Sequence, residues 1–548
     1  MPAEAKAAPR RVNPVRENVE NIAVVLAMVC LLRGFVAEAF VIPTGSMATT
    51  LHGANRKIAC PECGHVTALN LSHVGAERPG GWCMNCRFPL AAAEASGLAL
   101  GESGDRIVAS KYAYELGSPQ RWDTPIFKYP ARFSDHGGGS APTSASRTNF
   151  IKRIVGVGPE ELIIDGGNVW TRPDEAQPYA IAAKHPAAIL ATRRLVWDND
   201  RPAKDLLAEK FPPRWAPDDP KAAEPLDGSK SFSVKGSVTL VYRHLLGGGE
   251  RDAAPLPMRS AAAGRVPQLI TDFEAYNYVR TGNDFHNMFG PPNNWVGELT
   301  LEARLSARSN VGTIAFELNQ ASRRCRCEFD LSARQIRLKL NGQELAAAAF
   351  PPQTGNAFAV RFANIDDHCT VWLDERLVFP KSVALPELPA RERGPTLADL
   401  QPAKIVAESA DALVSGIKLW RDIHYTTPID GRNFIQRPDH ETLDGSGRLA
   451  YPMEPGTEAD TIAEWARRLA KRHADVRAEK LGPDFPMNAW HVKVPADSFF
   501  MLGDNSPMSS DARFWDDNRF AGKDAMLGKP VFVFWPLETL PWQVRFVH

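Results

Sequence analysis

An apolar stretch close to the N-terminus constrains this chain more than any other feature. Residues 22–32 form an unbroken apolar run, and beyond Arg33 the apolar character continues to Ile42. This span is close to the roughly 20 residues that a helix needs to cross a bilayer. Arg33 and Glu38 both lie towards one end of it, where long side chains can reach the membrane surface. The pattern predicts one membrane-spanning helix, with most of the chain folded outside the bilayer.

Basic residues upstream of the apolar stretch indicate its orientation. They are Lys6, Arg10, Arg11 and Arg16. Such residues favour a cytoplasmic N-terminus and an exported body. The alternative is a cleaved signal peptide, whose cleavage site Ala37 and Ala39 could mimic. We favour a retained anchor because the first of three distinctive motifs, described below, follows it immediately.

The composition bounds the remainder of the chain. A length of 548 residues suggests about two to four domains. Hydrophobic residues at 44% and charged residues at 23% are typical of globular protein. Lys plus Arg equals Asp plus Glu at 64 each, which argues against a broad nucleic-acid-binding surface.

The cysteines fall into two groups. Four of the eight form two Cys-x-x-Cys pairs separated by nineteen residues: Cys60, Cys63, Cys83 and Cys86. This spacing is typical of a zinc ribbon, in which four thiolates close a tetrahedral site and leave no position open for catalysis. In an oxidising compartment, two disulfides are the alternative. Of the others, Cys30 lies in the apolar stretch, and Cys325, Cys327 and Cys369 lie in strand-like sequence, where a disulfide from Cys369 stays open.

The centre of the chain carries the pattern of antiparallel β-structure. Apolar and polar residues alternate over 299–305, 314–318 and 336–340, and Asn341-Gly342 is a strong hairpin turn. Strands that recur at this spacing indicate a β-sandwich.

The sandwich pattern, over 233–425, is similar to concanavalin-like jelly rolls, the fold of laminin-G and lectin modules. Such folds often bind glycans or protein surfaces. Asp272, Asp284 and Trp295 could serve in a ligand site, although surface acids and a core indole are the simpler interpretation. A structural insert is equally compatible with the pattern, because fold alone does not decide function.

Three short motifs carry the chemistry. Residues 42–47 read Ile-Pro-Thr-Gly-Ser-Met, residues 150–156 read Phe-Ile-Lys-Arg-Ile-Val-Gly, and residues 501–515 contain Gly-Asp-Asn-Ser followed by Ser-Ser-Asp-Ala-Arg. A serine hydroxyl is a poor nucleophile without a base, and a neutral lysine amine can be that base. Lys152 lies in sequence that suits a buried strand, where desolvation would lower its pKa.

Together these motifs resemble bacterial signal peptidase I, the membrane-anchored protease that removes signal peptides from exported proteins. The resemblance implies Ser46 as the nucleophile and Lys152 as the general base. It also implies that the Thr44 hydroxyl and the Ser46 backbone N–H bind the oxyanion. Ser509 aligns with a family hydroxyl that orients the lysine amine.

The same resemblance implies two supporting ion pairs, Arg153 with Asp504 and Asp511 with Arg513. It extends through residues 104–111 and 121–130. Three departures from the family pattern are Thr44 in place of serine, Thr49 in place of proline, and a reversed order of Pro and Gly in 156–160.

The predicted fold class is mainly β: a transmembrane helix followed by a signal-peptidase-type β catalytic domain that a zinc-ribbon-like module and a jelly-roll β-sandwich interrupt. The predicted segments are a cytoplasmic tail (1–18), the anchor (19–42), catalytic segments (43–56, 101–171 and 492–548), the zinc-ribbon-like insert (57–100), an irregular connection (172–232), the sandwich (233–425) and a return segment with a helix over 461–479 (426–491).

The resemblance implies a membrane-bound serine endopeptidase that cleaves signal peptides after an Ala-x-Ala-like end. Its partners would be exported preproteins and the lipid bilayer, with a glycan or protein ligand of the sandwich left open and no nucleic acid. No cofactor is expected for catalysis, and a structural zinc is expected at the four cysteines. The protein would lie in the bacterial cytoplasmic membrane with its catalytic body on the exported side. Two rivals are a membrane-tethered binding protein and a self-cleaving repressor-type regulator, and the anchor and the absence of a basic helix-turn-helix pattern count against the second.

Overall fold

The computed structural model describes residues 14–71, 80–90, 103–128, 149–208, 210–246, 267–281, 284–286, 294–350, 357–389, 392–426, 428–429, 433–436, 491–515, 519–535 and 545–547. The predicted mainly β fold class is confirmed within these ranges. The helix predicted over 461–479 lies outside them.

The elements follow in chain order. The helices are α1 Pro14–Leu31, α2 Ala113–Leu116, α3 Pro186–Thr192 and α4 Lys204–Ala208, and a π-helical turn at Leu32–Val36 extends α1. The strands of the N-terminal part are β1 Ala37–Val41, β2 Asn55–Ala59, β3 Val66–Asn70, β4 Gly80–Trp82, β5 Pro89–Leu90, β6 Arg106–Ser110, β7 Ile126–Lys128, β8 Asn149–Ile151, β9 Arg153–Val157, β10 Glu160–Asp165, β11 Asn168–Arg172, β12 Ala180–Ile181, β13 Arg194–Asp198, β14 Trp215–Pro217, β15 Ala223–Leu226 and β16 Ser231–Tyr242. Those of the C-terminal part are β17 Val279–Thr281, β18 Asp284–His286, β19 Leu299–Ala307, β20 Thr313–Gln320, β21 Arg323–Asp330, β22 Gln335–Leu340, β23 Gln343–Ala349, β24 Ala357–Ile365, β25 His368–Leu373, β26 Arg376–Leu377, β27 Val383–Ala384, β28 Ala403–Arg421, β29 Pro428–Ile429, β30 Asn433–Gln436, β31 His491–Val494, β32 Ser498–Leu502, β33 Ala521–Gly522, β34 Met526–Trp535 and β35 Arg545–Phe546.

The N-terminal helix is shorter at its C-terminal end than predicted. The helical segment Pro14–Val36 is long and apolar enough to cross a membrane, and it is exposed along its length. Residues 37–41, which we assigned to the anchor, instead form β1 and pair antiparallel with β6. Apolar composition alone does not separate the end of a helix from a strand, and the edge of β6 decides the conformation here.

Two sheets of the catalytic part meet at Lys152. One sheet has the order β1-β6-β34-β7-β8, and another has the order β33-β32-β9. Because β8 ends at Ile151 and β9 begins at Arg153, Lys152 lies where the chain passes from the first sheet to the second. A third sheet, β12-β11-β10-β31, extends this part of the fold.

The large central sheet contains fourteen strands, and β28 organises it. One edge of β28 pairs with β16 and β13, whereas β20 and β19 pair with successive halves of its other edge. Ser409, between those halves, adopts a positive φ of 52°, as a bulged strand requires at a bend. The arms that begin with β20 and β19 therefore diverge and face each other, with Phe329 of one arm 6.0 Å from Phe358 of the other between ring centroids. This is a sandwich, and its likeness to concanavalin-type jelly rolls stays a prediction.

The prediction of an irregular connection over 172–232 is wrong. This range contains α3 and α4, and its strands β13, β14 and β15 belong to the large sheet. Its many prolines and charges hide short apolar patterns such as Leu195-Val196-Trp197, which become strands because β16 and β28 offer free edges.

The four-cysteine module shares the core of the sandwich. Its hairpins β2–β3 and β4–β5 follow the two Cys-x-x-Cys turns closely, and β17 adds to β4. Apolar residues of the module and of the central sheet form one continuous buried cluster. The module is therefore not an independent body beside the sandwich.

Candidate active site

Ser46 and Lys152 meet in a buried setting. Ser46 lies in a one-turn 3₁₀ helix, Gly45–Met47, that follows β1, and only 8% of it is exposed. Lys152, with 3% exposed, places its Nζ 2.7 Å from Ser46 Oγ and donates at 3.2 Å to the Ile151 carbonyl. At this separation, a neutral amine can accept the proton of the serine hydroxyl.

The surroundings of Lys152 favour the neutral amine. Burial lowers its pKa to about 8, although the carboxylates of Asp511 and Asp504 act in the opposite direction. The Arg513 guanidinium adds to the lowering. The lysine can therefore be neutral in a substantial fraction of molecules near neutral pH.

The predicted partner of Arg153 is in place. Its Nε and Nη2 donate to the two carboxylate oxygens of Asp504, each at 2.7 Å, and both side chains are fully buried. Although burial opposes it, the Arg153 guanidinium lowers the pKa of Asp504. Asp504 also accepts from the Thr50 hydroxyl at 2.6 Å, so this pair connects the strand after Lys152 to the segment after Ser46.

The pair of Asp511 and Arg513 closes the C-terminal motif. Arg513 donates twice to the Asp511 carboxylate, at 2.8 Å each, and Asp511 also accepts from the Gly503 N–H at 2.9 Å. Arg513 donates further to Ser506 Oγ and to the Thr426 carbonyl at 2.7 Å each. The motif is thus held both internally and by the chain that leaves the sandwich.

Two of the implied site residues make no hydrogen bond of the implied kind. Thr44 precedes the nucleophile turn, is exposed, and caps nothing with its side chain, so its hydroxyl is accessible to a substrate. Ser509 is fully buried, but its Oγ has no hydrogen-bond partner in the described part of the chain. The amine of Lys152 is held instead by Ser46 and the Ile151 carbonyl, so the orienting role of Ser509 stays a prediction.

Sequence reasoning missed the residue that binds the nucleophile turn most directly. The Asn505 N–H donates to the Ser46 carbonyl at 3.0 Å, and its Nδ2 donates to the Gly45 carbonyl at 2.9 Å. Its side-chain amide also pairs reciprocally with that of Asn277, at 2.7 and 2.8 Å. The Gly-Asp-Asn-Ser motif contained the first signal, because an asparagine there carries both donors and an acceptor. Nothing in the sequence indicated Asn277.

A second missed group is Arg194, which lies at the start of β13. Its Nη2 donates to the carbonyls of Ala48 and Asp504, each at 3.2 Å, and its Nε lies 3.6 Å from Glu274. It therefore links the two halves of the site from within the segment that we predicted to be irregular.

The four cysteines form a compact cluster that can hold a metal ion. Their sulfur atoms all lie within 4.8 Å of one another, with Cys60–Cys86 at 3.6 Å and Cys63–Cys83 at 3.5 Å. All eight cysteines are free thiols in the described structure. Tetrahedral zinc with Zn–S bonds of about 2.3 Å separates its sulfurs by about 3.8 Å, which these distances approach.

A buried cation beside this cluster fits the same group. Arg87 follows Cys86 directly, is 6% exposed, and has no hydrogen-bond partner in the described residues for its Nε and Nη1. Burial lowers the pKa of Arg87 to about 9, and the Cys83 thiolate acts against that lowering. A tetrathiolate zinc centre carries net negative charge, which would compensate such a buried guanidinium.

The other candidate ligands are engaged elsewhere or outside the described part. Asp272 accepts from the side-chain amide of Asn294 at 2.8 Å, and Trp295 packs against Leu269 and Leu400. The side chain of Asp284 lies outside the described residues.

The geometry defines the class first: a serine hydroxyl beside a buried lysine amine is an arrangement suited to acyl transfer. Comparison with known proteins then gives the family. The model of the family "Signal peptidase, peptidase S26" matches residues 93–195 and 457–535, so a domain of this family is present in the chain. The matched ranges include Lys152 and the C-terminal motif, whereas Ser46 lies before them.

A curated relative points to the same family. Residues of this chain are 44% identical over 48 residues to "Signal peptidase I" of Leptolyngbya laminosa, a match that covers 9% of this chain and 22% of that protein. The chain thus spans about a fifth of the length of the curated relative it matches. The resemblance to signal peptidase I that the three motifs predict is confirmed.

Solved structures resemble the chain only in part. The carbohydrate-binding module CBM66 from Bacillus subtilis has 10% identity and a TM-score of 0.23, with 38% of this chain and 94% of that chain covered. The galectin LEC-6 of Caenorhabditis elegans has 13% identity and a TM-score of 0.17, with 24% and 84% covered. TM-scores this low do not establish a shared fold.

Proposed function

We propose that this protein is a membrane-bound signal peptidase of type I, a serine endopeptidase that removes N-terminal signal peptides from exported preproteins. The observation that carries the proposal is the 2.7 Å separation between Ser46 Oγ and Lys152 Nζ in a buried site. The matches to signal peptidases support the same assignment.

The proposed reaction proceeds through an acyl-enzyme. Ser46 attacks the scissile carbonyl while Lys152 accepts the hydroxyl proton, and the lysine then returns that proton to the leaving amine. The Thr44 hydroxyl and the Ser46 backbone N–H stabilise the oxyanion. Water then attacks the ester, again with Lys152 as the base, and releases the mature protein.

The proposed topology places substrate and site on the same membrane face. Pro14–Val36 would span the cytoplasmic membrane with the N-terminus inside, and β1 would carry the chain directly from the exported surface to Ser46. Small residues before the cleavage point, as in Ala-x-Ala, would fit shallow pockets beside an extended peptide.

A cleavage assay tests the proposal. The full-length protein in detergent would be incubated with a precursor whose signal ends in Ala-x-Ala, next to Ser46→Ala, Lys152→Ala and, as a control, Lys493→Ala on the surface. We expect mature product from the parent and from the control only. An intact precursor with folded parent protein would overturn the assignment, and cleavage by Lys152→Ala would overturn the dyad.

We also infer that the four cysteines hold a structural zinc ion. Its support is the spacing of the sulfurs and the buried Arg87, and its role would be to join the β2–β3 and β4–β5 hairpins. Purified protein should contain about one zinc per chain, and Cys83→Ser should lose it whereas Cys325→Ser should retain it. Metal-free protein in which these cysteines form disulfides would contradict the inference.

A further inference from the structure

The sandwich insert reaches the nucleophile turn through a short segment that no motif predicted. This segment is the 3₁₀ turn Ala275–Asn277, which lies just before β17. Since β17 pairs with β4, the turn is anchored next to the four-cysteine module. It then contacts both the nucleophile turn and the C-terminal motif.

The amide pair between Asn277 and Asn505 has a defined orientation. The Gly45 carbonyl can only accept a hydrogen bond, so the side-chain nitrogen of Asn505 must face it. The oxygen of Asn505 then faces Asn277, whose Nδ2 donates to it at 2.7 Å, and Asn277 Oδ1 accepts in return at 2.8 Å. Asn277 thus fixes the rotation of the amide that holds Gly45.

Asn505 transmits this orientation to Ser46. Its backbone and side chain bind the two consecutive carbonyls of Ser46 and Gly45. Those carbonyls flank the peptide unit whose N–H belongs to the nucleophile. A rotation of the Asn505 side chain would therefore shift the turn that aims Ser46 Oγ at Lys152.

Tyr276 closes the other side of the turn. Its ring is 1% exposed and lies against Gly45 so closely that a Cβ at this glycine would overlap the ring. The same ring lies 5.6 Å from that of His52, between centroids. The nucleophile turn is consequently held between the insert and the C-terminal motif.

We propose that Asn277 is a positioning residue for Ser46, so that the sandwich insert completes the catalytic site. This inference rests on the proposed peptidase function for its kinetic consequence, but its structural part does not depend on that function. Asn277 contacts no reacting atom and acts through Asn505.

The test uses Asn277→Asp in the full-length protein. This near-isosteric change replaces the donating Nδ2 with an oxygen that faces the Asn505 oxygen, so it breaks one hydrogen bond and adds repulsion without a cavity. The matched control is Asn319→Asp. Asn319 is a buried asparagine of the sandwich whose Nδ2 donates to the Gln401 carbonyl at 2.9 Å.

Two readouts separate positioning from stability. Hydrogen exchange of peptides that cover residues 42–52 should accelerate in Asn277→Asp and not in Asn319→Asp. In the cleavage assay, kcat should fall on the order of 10- to 100-fold with KM nearly unchanged, because a displaced nucleophile costs the chemical step rather than substrate binding.

The outcomes distinguish this inference from the proposed function. Accelerated exchange in Asn277→Asp, in a protein that cleaves no precursor, would support the positioning contact and overturn the peptidase assignment. Unchanged exchange in 42–52 would overturn the inference whatever the activity. A kcat equal to that of the parent, in an active enzyme, would likewise overturn it.

Discussion

The chemistry of this site depends on the environment of one amine. Lys152 occurs at the passage between two sheets, where it is almost completely excluded from water and lies within a hydrogen bond of Ser46. Desolvation disfavours the ammonium form, and two nearby carboxylates limit the shift without cancelling it. The result is a lysine suited to act as a base near neutral pH.

This environment predicts the pH dependence of cleavage. The lysine must be neutral to accept the serine proton, so kcat/KM should fall about tenfold per pH unit below a pKa of about 8 and level off above it. A pH–rate profile of the full-length enzyme checks this, and Lys493→Ala should leave the profile unchanged. A profile that is flat between pH 6 and 9, at roughly constant stability, would contradict the role of Lys152 as the base.

At the scale of elements, the nucleophile turn is shaped by two segments that are distant in sequence. The C-terminal motif supplies Asn505, and the insert supplies Tyr276 and Asn277. The close approach of the Tyr276 ring explains why residue 45 is a glycine, since no side chain fits between the turn and the ring.

This packing predicts the effect of Gly45→Ala. The added methyl group would push the turn away from Tyr276, so we expect cleavage to fall by on the order of 100-fold while the protein stays folded. Gly34→Ala is the control, because a Cβ at Gly34 meets nothing within 4 Å. Kinetics and a thermal melt of both variants make the comparison.

A second substitution sharpens this test. Combining Gly45→Ala with Tyr276→Leu removes part of the ring and should restore some activity. If the double variant were no more active than Gly45→Ala alone, the contact with Tyr276 would not be the cause of the loss.

At the scale of the whole molecule, a buried charged cluster joins the catalytic part to the sandwich. Lys184 donates to Asp366 at 2.9 Å and to Asp422 at 2.7 Å, and Glu298 lies in the same cluster. Although burial opposes it, the carboxylates of Asp366 and Asp422 raise the pKa of Lys184. Burial raises the pKa of Glu298 well above its usual range, and the neighbouring aspartates add to that rise.

This cluster predicts a strong effect of Lys184→Met. Removal of the cation leaves buried carboxylates without a partner, which typically costs about 3–5 kcal/mol of stability. Denaturant unfolding measures the loss, and Lys493→Met, at a lysine that is 74% exposed, is the control with little expected change. Adding Asp366→Asn to Lys184→Met should recover part of the stability, and no recovery would show that charge is not the cause.

The sequence by itself determined the features that depend on neighbouring residues. The Ser, Lys and Gly-Asp-Asn-Ser motifs, the two Cys-x-x-Cys turns and the Asn341-Gly342 hairpin are all local patterns, and the structure has β22 and β23 on either side of that hairpin. The resemblance to signal peptidases and the mainly β fold class follow from such patterns. Each expresses a conformational or chemical preference that a few adjacent residues carry.

Only the tertiary structure decided which distant segments meet. It made β1 a strand because β6 offered an edge, and it drew β13 to β15 into the large sheet. It also brought Asn277 to Asn505 and Lys184 to Asp422, across hundreds of residues. Side-chain packing and strand pairing select these contacts from many that the sequence permits, because the energy of each depends on a partner that local sequence does not specify.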